Sequence, residues 1–274
     1  MRKRIIIASD IHYCQRDWFG VNSDERMEHF LNALREEYER DPYEMILLLG
    51  DYSLDHWQWQ EKGTYLTIGR SYTQEFVEKY CSRLTVPYYM IAGNHEQYGE
   101  EKWREITGCS RQFTVESDGY LFIMLDTFAG NLDPTEHHDG VFTRIDAAYL
   151  REQMEAYPNH KIILCSHYFD IAGESDEVKA MVNDERVLCL FCGHTHGANI
   201  VKLPEAVTPA RKRVIFTGTY GECGNLTSMC GFRDLVITDH ELTSSYYVYP
   251  FEGTFAGQPF SLGKAVKNSV TIEY

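Results

Sequence analysis

The chain has 274 residues, of which 43% are hydrophobic and 24% charged, and its 26 Lys and Arg against 41 Asp and Glu give a net charge of −15. This composition is typical of a globular protein and excludes a disordered chain. The acidic balance argues against a long nucleic acid as partner, because such binding depends on neutralising many phosphates with Lys and Arg. A short nucleotide or a small phosphate ester is compatible with this charge.

No pattern along the chain is typical of export or of membrane insertion. The apolar run behind the basic N-terminus covers only residues 5–8, which is shorter than the core of a signal peptide. No apolar stretch reaches the roughly 18 residues that a membrane helix needs. We therefore expect a cytoplasmic protein without membrane contact, with its eight cysteines as reduced thiols. Cys189 and Cys192 have the spacing of a zinc half-site, but they fall in a predicted strand, which favours buried thiols on opposite faces.

Strand-like apolar runs alternate with helix-like segments over most of the chain, and the last third is predicted to be all strand. In chain order, the patterns predict strand 4–9, helix 24–40, strand 45–49, helix 71–84, strands 88–92 and 120–125, helix 144–156, strand 161–165, helix 174–183, and strands 187–192, 214–217, 235–238, 245–249 and 269–274. This order favours buried sheets with helices outside. We expect a single layered domain over residues 1–274.

Carboxylate, amide and imidazole side chains gather where five of these predicted strands end. The carboxyl edge of the strands in an open α/β sheet is where ligands bind. Side chains two residues apart on an extended backbone face the same side, so a pair with that spacing can reach one small volume. The predicted metal site consists of Asp10, His12, Asp51, Asn94, His167, His194 and His196.

The number and type of these ligands predict two metal ions rather than one. Two carboxylates, four imidazoles and one amide oxygen are too many for a single tetrahedral ion, and they suit two ions that share a bridging carboxylate. Oxygen and imidazole ligation without thiolate favours Mn, Fe, Zn or Ni, with Mn or Fe preferred. Two ions about 3.5 to 4 Å apart generate a hydroxide at neutral pH and hold a phosphoryl oxygen during in-line displacement. The pattern therefore indicates hydrolysis of a phosphate ester.

The ordered set of motifs resembles the calcineurin-like metallophosphoesterases. By motif the resemblance covers residues 5–196, and residues 197–274 follow as C-terminal strands and a tail. It implies an α/β fold, a four-layer αββα sandwich of two mixed β-sheets with outer helices, and a metal site at the carboxyl ends of strands. It also implies that Asp51 bridges the two ions, with Asp10, His12 and His196 completing one ligand set and Asn94, His167 and His194 the other.

The resemblance places His95 outside the metal ligands and facing the phosphate. An imidazolium there can stabilise developing charge or protonate the leaving oxygen. Family members often carry an acidic residue three positions after the bridging aspartate to orient this histidine, but here that position is Leu54. Asp55 follows, yet a shift by one residue on an extended segment would turn its side chain to the other face. The departure also removes the Asp-Arg-Gly continuation of protein Ser/Thr phosphatases, which argues against that activity.

We expect metal-dependent hydrolysis of a small phosphomonoester or phosphodiester by a metal-bridging hydroxide. One alternative is a nuclease for short oligonucleotides, which the charge of −15 disfavours. The other is a non-catalytic metal-binding scaffold, because intact ligands show competence for metal rather than turnover.

Two loops, 56–70 and 127–143, are expected to shape substrate specificity. In the first, aromatic side chains either pack or stack on a base. In the second, a polar run forms either a solvated loop or a substrate contact above the site. The residues concerned are Trp57, Trp59 and Tyr65 in the first loop and His137, His138 and Asp139 in the second.

Overall fold

The fold is described by a computed structural model for residues 2–14, 17, 20–56, 70–137, 139–221, 229–255 and 257–274. The α-helices in these ranges are α1 (Ser23–Arg40), α2 (Tyr72–Lys79), α3 (Glu100–Thr107), α4 (Ala147–Ala156) and α5 (Asp176–Val182). The first seven strands are β1 (Lys3–Ala8), β2 (Met45–Leu49), β3 (Tyr88–Ile91), β4 (Phe113–Ser117), β5 (Tyr120–Leu125), β6 (Lys161–Ser166) and β7 (Val187–Cys192). The other seven are β8 (Ile200–Lys202), β9 (Arg213–Phe216), β10 (Gly231–Ile237), β11 (Glu241–Val248), β12 (Phe251–Phe255), β13 (Gln258–Leu262) and β14 (Ala265–Glu273).

Two six-stranded mixed sheets form the centre of the fold. The first has the strand order β14-β11-β10-β1-β2-β3, in which β1, β2 and β3 are parallel and the other three strands are antiparallel. The second has the order β4-β5-β6-β7-β9-β8, with a parallel centre from β5 to β9 and an antiparallel strand at each edge. Strands β12 and β13 form a separate hairpin.

Alternate residues of the central strands face two different apolar layers. On β1, Ile5 and Ile7 pack between the two sheets with side chains such as Phe122 and Phe191 of the second sheet. Ile6 faces the other way, into the cluster with helices α1, α2 and α3. Because both faces of these strands are covered, their sequences are continuous apolar runs.

The outer face of the second sheet is covered by α4 and α5. Leu150 and Met154 of α4 and Val178 and Val182 of α5 pack there against the sheet. The order of layers is therefore helices, sheet, sheet, helices, which confirms the predicted αββα sandwich. None of the described helices is long and apolar enough to cross a membrane.

The predicted thiol positions agree with the strand geometry. Cys189 packs between the sheets and Cys192 packs on the outer, helix-covered face of the second sheet. Both are free thiols, as are the other five cysteines among the described residues, and Cys223 lies outside those residues. The two side chains point to opposite layers, so they cannot form a zinc half-site.

Several elements begin or end differently from the sequence pattern, and local contacts explain why. The helix predicted over 144–156 begins at Ala147, because the Asp146 side chain accepts hydrogen bonds from the backbone N–H of Ala148 and Tyr149 as an N-cap. The helix predicted over 71–84 ends at Lys79 and is followed by a 3₁₀ turn. The sequence analysis missed α3, β4, β8, β12 and β13. Helix α3 starts at a glycine without a side-chain cap and buries only three of its eight residues, so its signal is weak.

A buried ion network joins α1 to the first sheet. Glu37 of α1 is fully buried and pairs with Arg4 of β1 at 2.6 Å and with Lys264 at 2.9 Å. Arg4 also pairs with Asp234 of β10 at 2.9 Å, and Arg40 pairs with Glu37. Burial disfavours the Glu37 carboxylate, but Lys264, Arg4 and Arg40 overcome that effect and lower the pKa of Glu37 to about 2.

We expect Glu37→Gln to destabilise the protein by about 3 kcal/mol at neutral pH, because a pKa lowered from 4.5 to about 2 corresponds to that free energy. The folded-state pKa lies below the unfolded value, so the stabilisation is complete above about pH 4.5 and is lost as the pH falls toward 2. Urea unfolding at several pH values should show the two proteins converging over that range. Glu39→Gln, on an exposed position of the same helix, is the control. A gap between wild type and Glu37→Gln that does not change with pH would contradict this assignment.

Candidate metal centre

The two sheets bring the five polar motifs to one edge of the fold. Asp10 follows β1, Asp51 follows β2 and Asn94 follows β3 in the first sheet, whereas His167 follows β6 and His194 follows β7 in the second. These five strands run parallel within their sheets, so their carboxyl ends lie at the same edge.

A first group of candidate ligands contains Asp10, His12, Asp51 and His196. Each offers one ligand atom, and these atoms all lie within 4.8 Å of one another. His12 Nε2 lies 3.5 Å from Asp51 Oδ2, and His196 Nε2 lies 3.4 Å from Asp10 Oδ1. Two carboxylates and two imidazoles at this spacing can hold one metal ion.

A second group contains Asp51, His167 and His194, again with ligand atoms within 4.8 Å of one another. Asn94 Oδ1 joins it at 3.0 Å from His167 Nε2 and 2.9 Å from His194 Nδ1. His167 Nε2 is 3.1 Å from Asp51 Oδ2. All seven predicted ligand positions are thus brought together, and Asp51 belongs to both groups.

The electrostatics of the site fit two cations. Asp10 and Asp51 are at most 1% exposed, and among the described residues no Lys or Arg forms an ion pair with either of them. Burial disfavours the Asp51 carboxylate, but His167 and His95 hold its pKa well below the usual value. Burial likewise disfavours the charged form of His167, yet Asp51 raises the pKa of this imidazole to about 9. Buried carboxylates need cationic partners, and metal ions can supply them.

The backbone at this edge adopts a conformation that L-residues rarely take. Five ligand residues have positive φ, namely Asp10 (52°), His12 (51°), Asp51 (56°), His194 (67°) and His196 (55°). Each such residue costs about 1 to 3 kcal/mol and persists only where its surroundings hold it. Here the backbone N–H groups of Ile11 and His12 both donate to the carbonyl of Asp51, at 2.8 and 3.0 Å. On this backbone, the ligand atoms of Asp10, His12, Asp51 and His196 lie within 4.8 Å of one another.

Glu96 holds together the two ligand loops that follow β2 and β3. Its buried carboxylate accepts hydrogen bonds from the backbone N–H groups of Asp51, Tyr52 and Gly93 at 2.8 to 2.9 Å and from Ser53 at 3.3 Å. Burial, assisted by the nearby Asp51 carboxylate, raises the pKa of Glu96 to about 8, while the donated hydrogen bonds oppose that shift. The sequence analysis assigned Glu96 no role. Its role in this structure is to fix the backbone on which the bridging carboxylate sits.

Hydrogen bonds behind the ligands orient two more of them. The ring of His167 places Nδ1 2.7 Å from the carbonyl of Leu49, which leaves Nε2 facing Asp51 and Asn94. Asp10 accepts hydrogen bonds from the Ser9 hydroxyl and from the backbone N–H of His194 at 3.1 Å. Contacts of this kind set the direction of ligand atoms before an ion binds.

His95 lies beside the ligand groups. Its Nε2 is 3.8 Å from Asp51 Oδ2 and 3.6 Å from Asp139 Oδ1, and its side chain is 9% exposed. Burial lowers the pKa of His95, and Asp51 opposes that change. Nδ1 has no hydrogen-bond partner among the described residues. The carboxylate of Asp55 instead accepts hydrogen bonds from the backbone and hydroxyl of Thr73 and from the Tyr98 hydroxyl, at 2.5 to 3.1 Å, near the start of α2.

The predicted specificity loops are only partly described. Trp57, Trp59, Tyr65 and His138 lie outside the described residues. In the described part of the second loop, Asp139 contacts both Asn94 and His95.

Two aromatic side chains that the sequence analysis missed contact the histidines of the site. Phe128 contacts the rings of His167 and His194 at centroid distances of 5.5 Å, and Tyr168 contacts His194 at 5.0 Å. No local sequence pattern marks these aromatic side chains, because they meet the histidines only through the fold.

Comparison with known proteins identifies the family. The sequence model of the calcineurin-like phosphoesterases matches residues 3–198, which is more than half of the chain. The chain therefore belongs to the calcineurin-like phosphoesterase family, and it is a metal-dependent phosphoesterase with a candidate dinuclear centre. A search of curated proteins finds no match.

Solved structures share the fold at low sequence identity. A dimetal phosphatase from Danio rerio aligns with a TM-score of 0.61 and 11% identity, over 96% of this chain and 99% of that one. The purple acid phosphatase PPD1 from yellow lupin seeds aligns with a TM-score of 0.52 and 14% identity, over 100% of this chain and 54% of that one. GAP50, the anchor in the inner membrane complex of Plasmodium, aligns with a TM-score of 0.51 and 11% identity, over 97% and 90% of the two chains.

We expect Gly93→Ala to weaken metal binding about 10- to 100-fold, the range typical of changes around a metal site. A Cβ at this position would lie 2.6 Å from the backbone nitrogen of Asp51 and would also collide with its carboxylate. Equilibrium dialysis of the chelator-treated protein against Mn²⁺ would measure the effect. Gly99→Ala is the control, because a Cβ there has no heavy atom within 4 Å. Equal Mn²⁺ affinity in the two variants would contradict a close approach of Gly93 to the bridging residue.

Proposed function

We propose that the protein hydrolyses a small phosphomonoester or phosphodiester with two metal ions, of which Mn or Fe suits the donor set best. The observation that carries this proposal is that Asp51 belongs to both candidate ligand groups. A shared carboxylate holds two ions close together, the arrangement used for in-line displacement at phosphorus. Family membership supports phosphoester hydrolysis in general, and the ester and the metals are the proposed details.

The residues of this site have different roles in the proposed reaction. When bound, the two ions supply a hydroxide at neutral pH and neutralise the phosphoryl oxygens. Asp10, Asp51 and the imidazole ligands fix the position of that chemistry between the two sheets. His95 borders the ligand groups without belonging to either of them, so its Nε2 is placed to donate a proton to the leaving oxygen or to stabilise its charge.

The charge around the site favours a substrate with few negative charges. The described charged side chain nearest to His95 at the mouth of the site is the carboxylate of Asp139, and no described Lys or Arg pairs with the ligand residues. A long polyanion would meet repulsion there. The titles of the Danio rerio and lupin structures name phosphatases, which agrees with a small phosphate ester but rests on fold similarity alone.

The proposal is tested first by hydrolysis of p-nitrophenyl phosphate and bis-p-nitrophenyl phosphate by chelator-treated protein, with Mn, Fe, Zn, Ni or no metal restored. We expect metal-dependent turnover that Asp51→Asn abolishes together with most metal binding, because one residue serves both ions. The better ester distinguishes a monoesterase from a diesterase. Two tightly bound ions in Asp51→Asn would refute the bridging role.

His95→Ala should keep about two ions per chain while reducing turnover about 100-fold or more, the usual contribution of a positioned acid or base. The loss should be larger for esters with poor leaving groups, because those require protonation of the leaving oxygen. Metal content and kcat for a series of substituted phenyl esters would measure both effects. His240→Ala, which removes an exposed imidazole from the turn between β10 and β11, is the control. Loss of metal from His95→Ala would instead place His95 among the ligands.

A non-catalytic scaffold is the second candidate function. GAP50 shares the fold, and its title describes an anchor. Two bound ions without turnover of either ester, with every metal tried, would favour this alternative over the enzyme.

A further inference from the structure

Asp139 reaches the metal centre from a part of the chain that carries none of the ligands. Asp139 lies between α4 and β5, a strand of the second sheet. The residues that it contacts follow β3 of the first sheet. Its Oδ1 accepts a hydrogen bond from Asn94 Nδ2 at 2.7 Å and lies 3.6 Å from His95 Nε2. About 59% of the Asp139 side chain is exposed, so this carboxylate lies at the mouth of the site rather than in the core.

The loop that carries Asp139 is fixed against the segment after β3. The Gln97 side chain donates a hydrogen bond to the backbone carbonyl of His137. Gly140 has φ of 65° and approaches Asn94 so closely that a Cβ would lie 2.6 Å from its carbonyl oxygen. On the far side, the backbone N–H of Thr143 donates to the carbonyl of Thr127 at 2.8 Å. Asp139 is therefore held at a fixed position above Asn94, although its own side chain is exposed.

The contact determines which way the amide of Asn94 faces. A carboxylate only accepts hydrogen bonds, so the amide atom beside Asp139 has to be the NH₂ group. The carbonyl oxygen then faces the opposite side, where it lies 3.0 Å from His167 Nε2 and 2.9 Å from His194 Nδ1. A reversed amide would direct a donor toward the ion, and a donor cannot serve as a ligand.

We infer that Asp139 is a positioning residue that selects the metal-binding orientation of the Asn94 amide. The inference rests on the proposed dinuclear function, and it adds a residue that the motifs do not contain. Partners that orient a ligand in this way typically contribute 10- to 100-fold to metal affinity or activity. Among the described residues, Asp139 accepts the hydrogen bond of the Asn94 NH₂ group.

The test compares Asp139→Ala with Asp139→Asn. Alanine removes the acceptor, whereas asparagine removes the charge and replaces one oxygen by NH₂ but keeps an oxygen that can accept from Asn94. We expect Asp139→Ala to weaken binding of one Mn²⁺ about 10- to 100-fold and Asp139→Asn to bind close to wild type. Calorimetric titration of the chelator-treated full chain with Mn²⁺ alone gives the affinities. Glu136→Ala, which removes an exposed carboxylate from the same loop, is the matched control.

A double-mutant cycle separates this role from a general effect on folding. If Asp139 acts through Asn94, then Asp139→Ala should change Mn²⁺ affinity little in a chain that already carries Asn94→Ala. Equal losses from Asp139→Ala with and without Asn94 would overturn the inference, as would equal losses from Asp139→Ala and Asp139→Asn. Mn²⁺ binding by Asp139→Ala equal to that of Glu136→Ala would also overturn it. If wild type itself fails to bind two ions, the proposed function fails, and that result is distinct from all of these.

Discussion

The site depends on two carboxylates, Asp10 and Asp51, that are buried where the edges of the two sheets meet. Burying a carboxylate costs several kcal/mol unless a positive charge lies close by. The described residues around this pair offer imidazoles and backbone N–H groups rather than Lys or Arg. Cations bound here would offset that cost, so metal binding would add to local stability.

The same requirement explains why the ligand backbones are strained. Five non-glycine residues with positive φ, at about 1 to 3 kcal/mol each, are unfavourable for the isolated chain. They persist because their surroundings hold them, and one such contact is the Glu96 carboxylate, which accepts hydrogen bonds from the loops after β2 and β3. A rigid and strained ligand set fixes the distance between two ions, and that distance decides whether both can contact one phosphoryl group.

A second buried charge, on Arg111, connects loops of the two sheets. Arg111, which precedes β4 of the second sheet, pairs with Asp126 through two hydrogen bonds of 2.5 and 3.1 Å. Its guanidinium also donates to the carbonyls of Glu96 and Tyr98, which follow β3 of the first sheet, at 3.1 and 2.6 Å. One planar group with five donors can satisfy a carboxylate and several carbonyls at once. Arg111 thus joins the segment that follows His95 to the loop after β5 of the second sheet.

These contacts explain which features the sequence could predict. The strands with continuous apolar runs, such as 45–49, 120–125 and 187–192, were predicted with their observed bounds, because burial on both faces leaves a strong pattern. Ligand positions were predictable for a related reason, since each follows such a strand directly. Arg111, Phe128 and Tyr168 were not predicted, because each acts through partners far away in the chain.

Asp139 is a functional residue that the sequence alone does not identify. Its polar run was interpreted either as a solvated loop or as a contact above the site, and the sequence gives no means to choose between them. The choice depends on Gly140, whose missing side chain lets the loop approach Asn94, and on a hydrogen bond that spans 45 residues. The ligands can be predicted from strand ends because a sheet imposes a common edge on them. Asp139 has no such marker, because the loop after β5 reaches Asn94 only through the fold, so only the folded chain can identify it.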